Sequence, residues 1–425
     1  MPPVVVPASL PELAAALQDA LAGPADDAPV VALRPLLHAA APLPTGGALV
    51  VRTSGSTGDA REVVLPRAAL LASIGATARR LGGHGRWLLA LPWEHVAGAQ
   101  VVARAVVSQA VRGGDLPCAA LPDVPFTPDA FADAAEPFLD VDIGDGASPA
   151  YLSLVPTQLH RLLTDAATDA VTDPAGPEPR PGGRALAALR RFDAVLLGGA
   201  AVAPDLLSRA RAARVRVVTT YGMSETCGGC VYDGRPLDGV RVELDGDGRV
   251  LLRGPMVAAG YLGDPGTTAA AFGDGPDRFF RTSDLGAFAD DGRLRVLGRA
   301  DDVVVTGGEK VAPLAVEHAL TAAADLWKPP LWPRGSTPEV CVVGVPDAEW
   351  GQAVVAVVVD PAAHAAAPAP DALRTAVRAA VTARASSRAA PRHVVVVPSL
   401  PLRGPGKIDR TGLAALVRDV VGRTG

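Results

Sequence analysis

From residue 48 to residue 230 the apolar positions come in short runs, each released into a polar, glycine-containing turn. The runs are Ala48-Leu49-Val50-Val51, Trp87-Leu88-Leu89-Ala90-Leu91, Ser153-Leu154-Val155, Phe192–Leu197 and Val215-Arg216-Val217-Val218. Continuous apolar runs of this length, bounded by turns, predict strands buried on both faces. Between them, Ala68–Leu81, Gln100–Val111 and Pro204–Ala213 are predicted helices, and a further helix is predicted over Leu10–Ala22, opened by Pro11 and Glu12. Strand, loop and helix in alternation give a parallel sheet covered by helices.

After Val231 the texture changes to short strands with tight turns. Asp245-Gly246-Asp247-Gly248 and Asp290-Asp291-Gly292 separate alternating apolar runs, so an antiparallel β subdomain is predicted over 235–298. A second domain is predicted to start at Gly298-Arg299-Ala300-Asp301-Asp302. It holds strands Val303–Thr306, Val340–Val345, Ala353–Val359 and His393–Val397, with helices over Pro313–Ala323 and 371–385. The fold class is therefore α/β and α+β. A large N-terminal domain (1–298) combines parallel sheets covered by helices with the antiparallel subdomain, and a small α+β C-terminal domain spans 299–425. A chain of 425 residues suits this division, since single cores stop growing near roughly 250–300 residues. Residues 165–184, rich in Asp, Pro and Gly, read as a solvated linker or insertion, and 326–337 and 361–370 as surface loops.

Composition narrows the partners. Net charge is −5, with 40 Lys+Arg against 45 Asp+Glu, so no nucleic-acid partner is expected. Met1-Pro2-Pro3-Val4 lacks a basic n-region, and no run approaches the ~20 apolar residues of a membrane span. A cytoplasmic protein without membrane insertion is expected. The four cysteines make no disulfide framework in so long a chain. Cys227-Gly-Gly-Cys230 has a metal or redox spacing, but zinc would need two more ligands and no second such pair exists; packing of small residues in a crowded site is favoured.

The candidate chemistry lies where the strands end. After Val218 comes Thr219-Thr220-Tyr221-Gly222-Met223-Ser224-Glu225-Thr226, and strand C-termini in open α/β sheets are where ligands collect. Tyr221 can stack on a ring, and the lone carboxylate of Glu225 among hydroxyls suits Mg2+, which prefers oxygen ligands. Thr53-Ser54-Gly55-Ser56-Thr57-Gly58-Asp59-Ala60-Arg61 follows a strand, a context in which backbone N–H groups and hydroxyls cradle phosphates, although it lacks the P-loop spacing. His95 sits in a turn at another strand end. Asp284 could accept both hydroxyls of a ribose or simply form a turn. Lys407, at the tip of a Gly/Pro loop, is either solvated or carried into another domain's cleft to neutralise phosphate charge.

In order and spacing, Thr53–Arg61, Thr220–Thr226, Arg281–Gly286, Gly298–Lys310 and Gly406-Lys407 resemble the core motifs of the acyl-adenylate-forming superfamily of AMP-binding enzymes. Within it, Leu91–Gly98, Ser153–Leu159 and Thr220–Asp233 are similar to the o-succinylbenzoate–CoA ligases of menaquinone biosynthesis. The resemblance implies two half-reactions: a small-molecule carboxylate is adenylated by MgATP, and coenzyme A then displaces AMP. It assigns Thr53, Ser54, Gly55, Ser56, Thr57, Gly58 and Arg61 to the β/γ-phosphates. Thr220, Tyr221 and Gly222 fall to the nucleotide, with Tyr221 stacked on adenine. Glu225 is assigned to Mg2+, Thr226 to the α-phosphate region, and Asp284 with Arg299 to the ribose. Lys407 would bridge carboxylate and α-phosphate. Asp301 would be the hinge of a mobile C-terminal domain, with Gly307 and Gly308 facing the pantetheine tunnel and Lys310 keeping the usual basic residue. His95, Ser153, Thr157, Gly198 and Gly199 would line the acyl pocket. Two departures stand out: Ala60-Arg61 replaces the usual Pro-Lys, and Thr282-Ser283-Asp284 the usual Thr-Gly-Asp. Another aryl- or acyl-CoA ligase is the alternative. A catalytically silent relative is disfavoured by the intact Glu225, Asp284 and Lys407, and a homodimer is left open.

Overall fold

The computed structural model describes residues 2–54, 60–141, 148–172, 181–273, 275, 278–323, 325–328, 332, 338–403 and 407–422. Among them the first-half runs build two sheets. The larger orders its strands Arg235–Pro236, Gly228–Tyr232, Val217–Met223, Ala194–Leu197, Ala150–Leu154, Arg86–Leu89, Cys118–Ala120. From Val217–Met223 to Cys118–Ala120 all neighbours are parallel, as expected; the remaining two strands are antiparallel.

The strands are largely apolar because successive side chains feed different cores. Trp87, Leu89, Tyr151 and Leu196 pack in a cluster with residues of the helices Leu10–Ala22, Arg67–Leu81 and Val96–Arg112. Leu88, Leu152, Leu154, Val195 and Leu197 pack in another with residues of Pro128–Asp140 and Pro181–Arg191. Side chains alternate across a strand, so covering both faces favours apolar residues at nearly every position.

In the second sheet, Ala48–Ser54 and Ala60–Pro66 form an antiparallel hairpin paired from Ala48↔Pro66 to Ser54↔Ala60. Gly55, Ser56, Thr57 and Gly58 lie outside the described residues, as does the side chain of Ser54. Arg241–Leu244, Arg249–Arg253, Phe279–Phe288 and Leu294–Arg299 make the expected antiparallel subdomain. In the C-terminal part, Val340–Asp347, Gly351–Val359 and His393–Val397 are valine-rich and buried on both sides, against Pro313–Thr321 and Asp371–Arg384 on one and Arg410–Gly422 on the other.

Several expectations need correction. The strand expected to stop at Val218 continues to Met223, so Thr220, Tyr221 and Gly222 belong to a hairpin with Gly228–Tyr232 rather than to a loop. Threonine and tyrosine favour strands, and Gly222 lets the partner approach: a Cβ there would collide with the Gly228 carbonyl. The expected linker 165–184 is helical through Thr172 and again from Pro181, with 173–180 outside the described residues. Alanines 166, 167 and 170 sustain the first helix, and Pro181 occupies a first-turn position where its missing N–H costs nothing. The helices Pro128–Asp140 and Arg410–Gly422 were not anticipated, although Thr127 caps the first by accepting from the Ala130 N–H at 3.1 Å.

Within 326–337, expected as a surface loop, the described residues Leu326, Trp327 and Trp332 are buried. Trp327 and Trp332 are both buried, edge to face with ring centroids 5.5 Å apart, and the Trp327 Nε1–H donates to the Leu320 carbonyl at 2.9 Å. Two indoles carry too much apolar area to leave in water. Trp327→Ala is expected to cost about 3–5 kcal/mol, read as a lower denaturant midpoint; an effect within about 0.5 kcal/mol would mark a surface position instead.

Candidate active site

The hairpin that follows the last parallel strand turns within a single helical turn, Ser224–Thr226, and a left-handed Cys227 (φ 53) and Gly228 (φ 86). Thr226 is fully buried. Its hydroxyl accepts from the Met223 N–H at 3.0 Å and donates to the Gly228 carbonyl at 2.8 Å. That side chain closes the turn, a role different from the expected contact with an α-phosphate. The Cys227 carbonyl accepts from the buried Ser73 hydroxyl at 3.3 Å and from the Gln100 amide at 2.8 Å, so two helices grip the tip. Cys227 and Cys230 are free and buried, and burial pushes the Cys230 thiol up to about 12. No cluster of metal-ligating side chains occurs among the described residues.

Glu225 projects from this turn half-buried, and its Oε1 accepts from the Tyr261 hydroxyl at 2.9 Å. The Arg61 guanidinium lies 5.4 Å from the centroid of the same tyrosine ring. One ladder rung away, buried Glu62 accepts from the Leu37 and His38 N–H groups at 2.7 and 3.1 Å and pairs with Arg52 at 3.4 Å. Thr53 faces Arg61 across the hairpin, its hydroxyl donating to the Arg61 carbonyl at 3.4 Å.

On the strand Val217–Met223, the Tyr221 hydroxyl donates to Asp284 Oδ2 at 2.7 Å. Burial, then the adjacent Asp284 charge, pushes this phenol well above its ordinary range, so it stays a donor. Asp284 lies in a bulged stretch of the strand Phe279–Phe288, where the Thr282 hydroxyl accepts from the Asp284 N–H at 3.0 Å. Asp284 is directly paired in register with Arg299, whose guanidinium reaches Asp301 at 2.7 Å. The two ribose candidates and the hinge candidate are thus one contact apart.

Lys407 begins the short strand Lys407–Ile408, paired with Leu402–Arg403; its side chain lies outside the described residues. Three residues on, Arg410 makes a two-pronged pair with Glu317 at 2.7 and 3.0 Å, donates to the Val342 carbonyl at 2.7 Å and reaches Asp302 at 3.6 Å. Gly307 and Gly308 (φ 56 and 81) form the two-residue turn between Val304–Thr306 and Glu309–Val311, with Lys310 exposed in the second strand. A Cβ at Gly307 would strike the Trp350 ring, whereas one at Gly308 would meet nothing within 4 Å among the described residues.

The acyl-pocket candidates stand at the ends of parallel strands. Gly198 and Gly199 follow Ala194–Leu197, and a Cβ on Gly198 would collide with the Thr220 hydroxyl, which donates to the Leu197 carbonyl at 3.3 Å. Ser153 is buried in Ala150–Leu154, and Thr157 opens the following helix. Gln158, not singled out from sequence, clamps two strand ends by accepting from the Val155 N–H at 3.0 Å and donating to the Ala90 carbonyl at 2.8 Å. His95 precedes the helix Val96–Arg112; burial, aided by Arg34, holds its imidazole below the usual range and favours the neutral ring.

The family model described as AMP-binding enzyme matches residues 5–262, and the AMP-binding enzyme C-terminal domain matches 337–407. The chain belongs to the AMP-binding enzymes. Among relatives of this AMP-binding enzyme, the probable 2-succinylbenzoate–CoA ligase of Mycobacterium tuberculosis is 40% identical over 387 residues, covering 88% of this chain and 85% of the relative. The 2-succinylbenzoate–CoA ligase of Enterococcus faecalis is 28% identical over 338 residues, 73% of this chain and 59% of the relative. Among solved structures, an amide bond synthetase from Marinactinospora thermotolerans superposes with a TM-score of 0.66 at 26% identity, covering 91% of this chain and 75% of the other. The o-succinylbenzoate CoA synthetase of Bacillus subtilis bound to its acyl-adenylate intermediate gives 0.64 at 23% identity, 86% of this chain and 68% of the other, and at that identity supports the fold alone.

In this AMP-binding enzyme, Arg410→Ala would leave Glu317 buried without its partner. A loss of about 3–5 kcal/mol in stability is expected, measured by denaturant unfolding, with Arg410→Lys intermediate because one ammonium cannot replace the fork.

Proposed function

We infer that the chain is an ATP-dependent acid–thiol ligase that adenylates o-succinylbenzoate and transfers the acyl group to coenzyme A, releasing AMP and pyrophosphate in menaquinone biosynthesis. The observation that carries the substrate assignment is the near-full-length 40% identity to a probable 2-succinylbenzoate–CoA ligase. The geometry supports the chemistry: motifs far apart in sequence meet through Tyr221–Asp284 and Glu225–Tyr261–Arg61.

In the first half-reaction a carboxylate oxygen of the acid bonds to the α-phosphorus of ATP as the bond to pyrophosphate breaks. In the second, the CoA sulfur bonds to the acyl carbon and AMP leaves. Positioning and charge neutralisation dominate such chemistry. Tyr221, tied by its hydroxyl to Asp284, presents its ring to adenine, while Asp284 and Arg299 hold the ribose. Thr53 and Arg61, at the hairpin stem, face the β/γ-phosphates. Lys407 meets the charge that develops between carboxylate and α-phosphate.

A single carboxylate at a turn among polar groups fits Mg2+, which is commonly held by one or two carboxylates plus substrate phosphates, so Glu225 is its protein ligand. Bound there, the ion neutralises phosphate charge. The acyl pocket of His95, Ser153, Thr157, Gly198 and Gly199 supplies polar partners for the second carboxylate of the acid. We place the domain division at 298/299, with Asp301 the hinge about which the small domain turns between half-reactions. Among the described residues no helix is long and apolar enough to cross a membrane. A cytoplasmic location is the last part of the proposal.

Lys407→Ala is expected to abolish adenylate formation while sparing thioester formation from supplied acyl-adenylate, and equal loss in both halves would refute the lysine's role. Gly308→Leu should do the reverse, because its side chain would enter the open space beside the turn; normal thioester turnover would remove the tunnel assignment. The substrate is tested by ATP- and CoA-dependent AMP release with a panel of carboxylates. Strong preference for o-succinylbenzoate supports the reading, and preference for another acid keeps the ligase but discards the pathway.

A further inference from the structure

Glu225 and Arg61 reach each other through Tyr261, a residue outside all five motifs. Its hydroxyl donates to Glu225 Oε1 at 2.9 Å, and the Arg61 guanidinium sits over its ring at 5.4 Å, within cation–π range. Tyr261 is held on every side. Gly260–Tyr261 is a short strand paired with Val63–Val64, two residues beyond Arg61. The Tyr261 N–H donates to the Thr268 hydroxyl at 2.9 Å, and the ring meets Phe272 edge-on with centroids 5.4 Å apart. Glu225 is anchored in the same neighbourhood, its carbonyl accepting from the Ala258 N–H at 2.9 Å.

We propose that Tyr261 is a positioning residue that yokes the metal-binding carboxylate of Glu225 to the phosphate-loop cation Arg61, and that the arginine at 61 is matched to this tyrosine. A planar guanidinium lies flat on an aromatic ring and keeps its N–H edges for a phosphate; a lysine ammonium is a compact, strongly hydrated point charge that cannot do both. The departure from the usual Pro-Lys ending therefore has a local cause. The hydroxyl fixes the plane of the carboxylate, and the ring fixes the height of the cation, so both charges stand set before MgATP arrives. The inference rests on the ligase reading above, because it assigns Glu225 to the metal and Arg61 to the phosphates.

The test is calorimetric titration of the full chain with MgATP and, separately, with AMP, which lacks the β- and γ-phosphates. Tyr261→Phe keeps the ring and removes the hydroxyl. Its MgATP affinity is expected to fall about tenfold or more, the scale of one hydrogen bond to a charged group, with the AMP affinity changing far less. Arg61→Lys should also weaken MgATP selectively, and in a Tyr261→Leu background the same exchange should add nothing further, since its partner ring is gone. Equal weakening of MgATP and AMP would reduce Tyr261 to a packing residue and overturn the proposal, as would unchanged MgATP binding in Tyr261→Phe or an Arg61→Lys effect of the same size in both backgrounds. Because nucleotide binding is read without an acyl substrate, rejection of o-succinylbenzoate in the AMP-release panel would strike the functional reading and leave this measurement standing.

Discussion

A buried carbonyl that must find donors holds this site together. Cys227 takes a left-handed conformation that costs a non-glycine residue of order 1 kcal/mol or more, and the turn around it exposes a carbonyl to a dry interior. Ser73 and Gln100, from the helices Arg67–Leu81 and Val96–Arg112, satisfy that carbonyl together. Leaving it unpaired would cost about 1–3 kcal/mol, so the tip of the Val217–Met223/Gly228–Tyr232 hairpin and the helices that cover the sheet are locked to one another. Thr226 closes the turn from inside. The result is a carboxylate, Glu225, whose backbone has one place to be.

From that fixed point the rest of the site is a sequence of short contacts between elements distant in the chain. Tyr221 crosses to Asp284 on the antiparallel subdomain, Asp284 stands in register with Arg299, and Arg299 reaches Asp301. Next to Asp301, Asp302 faces Arg410, which opens the helix behind Lys407 and is held by Glu317. Burial raises the Asp302 carboxyl, with Arg410 acting against that rise. The rotation proposed at Asp301 would carry Lys407 with it as part of a braced unit, because Arg410 links Asp302 to the base of the lysine strand. The exposed Arg299–Asp301 pair is weak by comparison and gives at little cost, which suits the hinge proposed there.

The sequence was most informative where one physical demand dominates. Strands such as Ala194–Leu197 were legible because burial on both faces leaves no polar option, and the parallel order followed from their alternation with helices. The loop after Ala48–Ser54, the Tyr221–Glu225 stretch and Asp284 stood out as candidates through their resemblance, in order and spacing, to motifs of the family. Less legible were residues whose chemistry serves two ends equally well. Thr226 carries the same hydroxyl whether it faces a phosphate or caps its own turn, and burial alone distinguishes the two. Thr220 and Tyr221 suit a loop or a strand, and the choice is made by a partner strand that Gly222 admits. Trp327 and Trp332 sit among prolines that suggest a loop, and only the depth of the small domain's core explains their burial. Tyr261 and Glu62 belong to no motif, and their roles exist only through neighbours remote in sequence.

Glu62 shows why the stem of the phosphate-loop hairpin can serve as a platform. A carboxylate 2% exposed is costly unless paired and hydrogen-bonded, yet here it accepts two backbone N–H groups and faces Arg52, its partner on the opposite strand. Those donors come from residues 37 and 38, so the carboxylate pins an otherwise separate segment against the hairpin. His38 in turn fills the space beside Gly263, where a Cβ would collide with it, and Gly263 lies two residues past Tyr261. The next rung is Thr53↔Arg61. The cation over Tyr261 is thus braced from below by Glu62 and alongside by the Gly260–Tyr261 strand. An arginine resting on a fixed ring is set by this frame rather than by the loop it ends, and the frame explains how the hairpin can tolerate losing the usual Pro-Lys ending without losing a positioned charge.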